Sequence, residues 1–425
     1  MPAQPERDRG TAPAPAALDE ALDQLLRFGA ALLRAGNTAF RVRQYMGMVG
    51  RAMRFDALSV QVGLGGIIAT GQRDGVQTTL LREVGPPGVN TLRIRALEEL
   101  AFAATPDLTP RELGAKLTAI ESSPPLYSIA QISAAIGMAC GAFAFLNGAD
   151  GIGVLIAALG GGIGQCLRTH LLRRHINQYA VTAVSAIIAS GVYWLGSVAA
   201  ARAGFDFAHN SAGFISSALF LIPGFPLVAA LLDLLQHQTA ASVTRFVYGM
   251  AVLLAAAFGL SVVTRLAGFD LSPAPPLEMG KPLLFALRGV ASFAGVCGFA
   301  ILFNSSTRAV LAAGVLGLAG NELRLALHDA GMMLGPATFL GALAVGFIAS
   351  LGGRRFKEPR IALTVPGIII MVPGMFAFQA IVLFNQGNML EAMQATVQVG
   401  FVVCAMAIGL AAARFLTRRE WLIES

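Results

Sequence analysis

Charge is what this 425-residue chain has least of: 13% of its residues are Asp, Glu, Lys or Arg, against about 25% in an average soluble domain. A soluble enzyme of this size does not fit that figure. Lysine is nearly absent, with Lys116, Lys281 and Lys357 alone. Only Lys281 follows a glycine, and Pro282 comes next where a phosphate-binding loop needs Ser or Thr, so ATP hydrolysis by this chain is not expected. HExxH and GxSxG are missing, and the five histidines fall at span edges or in loops, which leaves intramembrane proteolysis without support. The four cysteines, Cys140, Cys166, Cys297 and Cys404, lie in apolar runs without CxxC spacing. They read as small core residues, with no disulfide, metal site or cofactor called for. No charged-then-apolar signal peptide opens the chain; residues 2 to 17 are an Ala/Pro-rich run that cannot build a core. The expectation is a disordered tail over 1–17 and a head that stays in the cytoplasm.

What is abundant is apolar: 55% of residues are hydrophobic and the mean hydropathy is +0.66. Residues 1 to 125 hold 27 of the 55 charges and the following 300 hold 28. A polar head therefore precedes a body of nearly uncharged stretches, each long enough to cross a hydrocarbon core about 30 Å thick. Windows of about 20 residues place ten spans, near 129–146, 151–170, 179–200, 212–235, 245–265, 282–303, 308–327, 336–352, 361–384 and 392–414. With the head inside, the inner loops and tail carry twelve Lys/Arg and the outer loops four (Arg202, Arg265, Lys281, Arg324). The positive-inside rule then puts both termini in the cytoplasm of an inner-membrane, multi-pass protein. Its partner is the lipid bilayer, and nucleic acid need not be invoked.

The two halves of the body resemble each other. Cys140-Gly141 and Asn147 match Cys297-Gly298 and Asn304 at an offset of 157, which also pairs Gly160 with Gly317 and Gln165 with Glu322; Ile222-Pro223-Gly224 matches Val372-Pro373-Gly374 at 150. Five spans per copy is an odd number, so the second copy is expected upside down. Inverted repeats recur in secondary transporters, with the substrate between them near the midplane. The domains read as 18–125 for the head, 126–268 for the first five-helix module and 269–425 for the second. The head shows a heptad-like apolar stripe (Leu18, Leu22, Leu25, Leu26, Leu32, Leu33), a strand and turn over Ala57–Thr70, a second strand over Gln77–Val84, and helical patterns from Leu92 and Pro110, a small α+β domain.

Within the spans, Leu221-Ile222-Pro223-Gly224-Phe225-Pro226 should break a helix, because two prolines remove two donors and Gly224 tolerates unusual dihedrals. Span 9 carries Pro366-Gly367 and Pro373-Gly374. Broken helices at corresponding places in two repeats point to a transport site, and a pair of packing kinks is the bland alternative. Substrate contact is thus expected at Pro223, Gly224, Phe225, Pro226, Pro366, Gly367, Pro373 and Gly374. Asp233, Glu322 and Arg288 are charges deep in apolar sequence and are the proton-coupling candidates. For Asp233 the alternative is an interfacial aspartate; for Glu322 it is a structural pair with Arg288. Asn147, Asn304 and Asn321 read as polar glue, and Gly160, Gly161, Gly162 and Gly164 as a smooth packing face.

Gly36-Asn37-Thr38-Ala39-Phe40-Arg41-Val42, Leu221 to Pro226 with Asp233, and Pro366-Gly367 followed by Pro373-Gly374 together resemble the bacterial threonine/serine exporter family, over roughly residues 18 to 415. The resemblance implies a ten-span inner-membrane exporter of small amino acids driven by the proton motive force, with both family modules fused. Members with separate modules are linked to dicarboxylate export, so succinate-like substrates form a second reading. A channel or a membrane sensor is a third, although no repeated filter or ring of like charge is present. The head motif departs from the family pattern in lacking its two acids, with Asn37 and Arg43 in that stretch. No catalytic residue is expected, and a homo-oligomer is compatible with these features.

Overall fold

A computed structural model of the chain describes residues 15–205, 211–268, 279–356 and 358–417. Residues 1–14 of the expected tail, and Lys357, Arg418 and Arg419 of the charge asymmetry, lie outside the described residues. The chain divides into two compact units, one comprising the residues up to Pro124 together with Gln236–Thr244, the other Pro125–Leu235 and the residues from Arg245 on.

In the first unit, helix α1 (Pro15–Arg34) begins inside the stretch expected as tail and buries its whole leucine stripe. Helix α2 (Ala39–Ala52) follows. Among the described residues the strands number three rather than two: β1 (Ala57–Val62), β2 (Gly66–Arg73) and β3 (Val76–Glu83) form an antiparallel sheet in that order. The missed hairpin has a local cause. Asp74 and Gly75 both take positive φ, 50° and 79°, joining paired Arg73 and Val76 by the tight turn that suits twisted strands. Ile67 and Ala69 are buried in the core that α1 fills, and helices α3 (Thr91–Phe102) and α4 (Pro110–Ser122) contribute Leu97, Leu113 and Leu117. Ala241, from the unit's second segment, is part of that core.

The motif at residues 36 to 42 builds the α1–α2 junction. Gly36 has φ 105°; its N–H donates to Leu33 O and that of Asn37 to Leu32 O, both at 3.1 Å, a helix stop that needs a glycine in the left-handed region. Asn37 is buried and its amide donates to Glu98 at 3.4 Å, tying the junction to α3.

The regular elements among the described residues of the second unit are helices. Among the described residues, eight helices are long and apolar enough to cross a membrane, and two further pairs, bent by 62° and 50°, bring the total to as many as ten. In order they are α5 (Ile129–Leu146), α6 (Gly151–Arg173), α7 (Gln178–Arg202), the bent pair α8 (Ser211–Ser216) and α9 (Gly224–Leu234), then α10 (Thr239–Ala267). The second run is α11 (Lys281–Leu302), α12 (Thr307–Asp329), α13 (Leu334–Phe356), the bent pair α14 (Arg360–Ile369) and α15 (Gly374–Asn385), and α16 (Met389–Thr417). This is a multi-pass membrane architecture by length and composition.

The runs repeat element by element. Helices α6 and α12 each have 23 residues and start 156 residues apart; α10 and α16 each have 29 and start 150 apart. The offset in the first part is thus one less than the 157 that the sequence matches suggest. Packing supports 156. A methyl added to Gly161 would meet Cys140 and the Ser217 carbonyl; one on Gly317, 156 residues on, would meet Val296 and the Gly367 carbonyl, the counterparts 156 and 150 further along. Gly164 packs on Ala189 as Gly320 does on Val345. The Cys-Gly and Asn identities at 157 are one residue out of structural register. A helix face is set by what it must pack against, and the small residues that meet neighbouring backbone carry that constraint.

Candidate functional site

Each bent pair turns on a proline. Pro223 has φ −79°, ψ 51° and Pro373 has φ −77°, ψ 54°. In both, the next glycine N–H donates back two residues, Gly224 to Ile222 O at 2.8 Å and Gly374 to Val372 O at 2.7 Å. These are two inverse γ-turns of the same geometry, 150 residues apart. Proline suits the central position because its ring holds φ where this turn needs it. Pro226 sits in the first turn of α9, where no helical donor is required, so it does not break the helix further. Gly224 does not serve through unusual dihedrals: a methyl there would press on Val372 at 3.0 Å, and one on Gly374 would overlap Ile222. The contacts are reciprocal, since Ile222 and Val372 are themselves counterparts. Each turn is closed against the other.

Between the turns lies a cavity of ≈ 10 Å³, room for about one water-sized sphere. Its lining forms four repeat-related pairs: Phe143 with Phe299, Leu219 with Ile369, Ile222 with Val372, and Gly224 with Gly374. Phe143 and Phe299 of this lining meet edge to face at 6.0 Å between centroids. No charged side chain lines the cavity.

Other expected positions fare differently. Pro366-Gly367 is not a break: α14 runs through Pro366 to Ile369, and the bend comes after it. One proline whose lost donor is a single hydrogen bond can be carried by neighbouring helices. Phe225 is buried and stacks at an angle on Phe303, 6.2 Å away. Asp233 is fully buried in the protein, with Arg245 Nε 3.5 Å from its carboxylate. Arg245, counted from sequence as a loop charge, is itself buried within α10. Arg288 pairs with Asp329 at 2.5 Å rather than with Glu322. Glu322 is 7% exposed, and its Oε1 is buried without a hydrogen-bond partner among the described residues. Asn321 does act as glue, donating to Ser292 Oγ at 2.8 Å.

Sequence reasoning missed Arg324, assigned to a loop but placed in α12 with Nη1 donating to the Met371 carbonyl at 3.2 Å, directly before the second γ-turn. It also missed Phe143 and Phe299. An offset of 156 pairs Phe143 with Phe299 and Arg168 with Arg324.

Two five-helix runs packed reciprocally about a pair of proline-broken spans define a polytopic helical membrane protein with an internal repeat. The chain belongs to the threonine/serine exporter family. The family described as "Putative threonine/serine exporter" matches residues 23–267, and a second, "Threonine/Serine exporter, ThrE", matches residues 288–416. The chain is 22% identical over 247 residues to the "Probable succinate transporter subunit YjjP" of Escherichia coli, covering 57% of this chain and 93% of that protein. It is 27% identical over 180 residues to the "Probable threonine/serine exporter" of Mycobacterium tuberculosis, covering 39% of this chain and 32% of that protein. Klebsiella aerogenes has a similar succinate transporter subunit, 21% identical over 238 residues, 56% of this chain and 90% of that protein. No solved structure matches the chain. A multi-pass membrane exporter is the activity this family membership implies.

Proposed function

We propose that the protein exports small amino acids, threonine and serine, across the bacterial inner membrane, driven by the proton motive force, through the interface of two inverted five-helix modules. The observation that carries this reading is the cavity lined by four repeat-related residue pairs, at which both broken spans meet. A site shared by two such copies can open to either side by rocking one against the other, with the same contacts made and broken in mirrored order. The cavity is small and apolar, so in this reading it serves as the constriction that separates the two sides, with substrate held by polar groups beside it.

Residues 18–125 form the cytoplasmic head in this reading, with 126–268 and 269–425 as the modules and both termini inside, as the distribution of Lys and Arg favours. Pro223, Gly224, Pro373 and Gly374 act as hinges at the site, with Phe225, Pro226, Pro366 and Gly367 supporting them. Glu322 is the favoured proton-coupling acid: its Oε1 has no hydrogen-bond partner among the described residues, so it can take up and release a proton without first breaking an ion pair. Asp233, held by Arg245, is the second candidate, and Arg288 acts through Asp329.

Export of a dicarboxylate such as succinate is kept as a second reading because relatives matching more than half of this chain bear that name. Mass-detected efflux from cells loaded with dipeptides or succinate, with and without a protonophore, separates the two. Threonine and serine efflux that stops when the proton gradient collapses is expected. Succinate efflux with no threonine efflux would replace the first reading by the second.

A further inference from the structure

We infer that Gln165 with Arg168 in α6, and Asn321 with Arg324 in α12, are two repeat-related stations for the zwitterionic head of an α-amino acid, one in each module. This rests on the export reading above and supplies it with the polar groups that the apolar cavity lacks.

The pairs are counterparts at the offset of 156 that packing supports, and each arginine lies five residues before the last residue of its 23-residue helix. An amide and an arginine three positions apart share one helix face, about 4.5 Å apart along the axis. In an apolar span a guanidinium is expensive unless paired. Arg245 is paired with Asp233 and Arg288 with Asp329. Among the described residues neither Arg168 nor Arg324 has a carboxylate within ion-pair distance. Among the described residues Arg324 donates once, to the Met371 carbonyl at the second broken span, and its Nε is buried without a hydrogen-bond partner. The ionisable neighbour acting on Arg168 is the Tyr248 phenol, not an acid.

The amides are wired alike. Gln165 Nε2 donates to Thr169 Oγ1 at 3.0 Å, and that hydroxyl donates its own proton to the Gln165 carbonyl at 3.0 Å. Asn321 Nδ2 donates to Ser292 Oγ at 2.8 Å, and that hydroxyl donates to the Arg288 carbonyl at 2.7 Å. A hydroxyl whose proton is engaged can only accept, so each amide must turn its NH₂ toward the hydroxyl and its oxygen away. Both oxygens, Gln165 Oε1 and Asn321 Oδ1, are indeed buried without a hydrogen-bond partner among the described residues, on side chains of residues only 4% and 0% exposed. Unsatisfied buried acceptors are rare and call for an explanation. An acceptor for an ammonium beside a forked donor for a carboxylate is the complement of an amino-acid head group. A dicarboxylate would use the arginine and leave the amide oxygen unmet.

The test uses the purified full chain in detergent and needs no transport. Phenylglyoxal modification of Arg168 and Arg324, read by peptide mass spectrometry, is followed with L-threonine, threonine amide or succinate present. Threonine should slow both sites severalfold, and the amide, which lacks the carboxylate, should not. In efflux assays Arg168→Gln and Arg324→Gln should each lower threonine kcat/KM by about tenfold or more, with Arg→Lys partly restoring it. Gln165→Leu and Asn321→Leu should raise KM for threonine while leaving that for succinate in place. Threonine efflux at the wild-type rate in both Gln variants, or no protection by threonine, overturns the stations and leaves the export reading standing. Protection by succinate alone overturns the amide's role. Protection by threonine without any wild-type efflux supports the stations and overturns export.

Discussion

Removing the Asp233 carboxylate should unsettle the membrane unit before it affects anything else. Asp233 is 0% exposed and Arg245 3% at the side chain, with one nitrogen–oxygen distance of 3.5 Å between them. At that separation and an effective dielectric near 20, the attraction is roughly 5 kcal/mol, most of which offsets the desolvation of the two charges. Asp233→Asn keeps the volume but leaves a buried guanidinium without its counter-charge, and a buried pair broken on one side loses about 3–5 kcal/mol. That is roughly two to four factors of ten in the folding equilibrium at 1.4 kcal/mol each. Arg245→Gln should behave alike, and Asp233→Asn with Arg245→Gln should recover most of the loss, because neither charge then remains. The assay is thermal unfolding of the detergent-solubilised protein as a double-mutant cycle, alongside threonine efflux. If Asp233 also carries the coupled proton, the double variant regains stability but not export. Single variants as stable as wild type would refute the inference that this pair holds α9 to α10.

Three further outcomes are expected. Glu322→Gln should leave the unfolding temperature close to wild type, since its Oε1 has no hydrogen-bond partner to lose, while efflux loses its dependence on the proton gradient; unchanged dependence would shift coupling to another acid. Gly298→Ala, where the new methyl would run into the Ala135 carbonyl and lie 2.9 Å from Ala139 Cβ, should destabilise by about 1–3 kcal/mol through overpacking where α5 meets α11, visible as a lower unfolding temperature. Reporter fusions after Asn147 and after Gln386 should both read as periplasmic if the modules are inverted, and a cytoplasmic signal at both would refute that topology.

The apolar spans, eight and as many as ten with the two bent pairs, were legible because lipid imposes a one-dimensional rule: about 20 apolar residues in a row, with charge kept to the ends. Helix α5 has the bounds read from the sequence, and α6, α7, α11 and α12 differ from theirs by only a few residues. The proline breaks were equally plain, since a ring that removes a donor acts locally. Pro366 was misjudged because whether a proline breaks or merely interrupts depends on neighbouring helices, which local sequence does not contain.

Pairing was beyond sequence for the same reason. Asp329 takes Arg288 away from Glu322, and Arg245, which reads as a surface charge on an inner loop, turns inward to Asp233. Each choice depends on distances between helices dozens of residues apart. The repeat was detectable but out of register by one residue, because scattered identities record composition, whereas contacts such as Gly161 on Cys140 and Gly317 on Val296 record which face each helix buries. The amide oxygens of Gln165 and Asn321 lacked any sequence signal, since a buried acceptor is left over only once every neighbouring donor has taken its place. Hydropathy acts along the chain and sets where the membrane is crossed; hydrogen bonds and ion pairs act through space, and tertiary packing alone decides which groups they join.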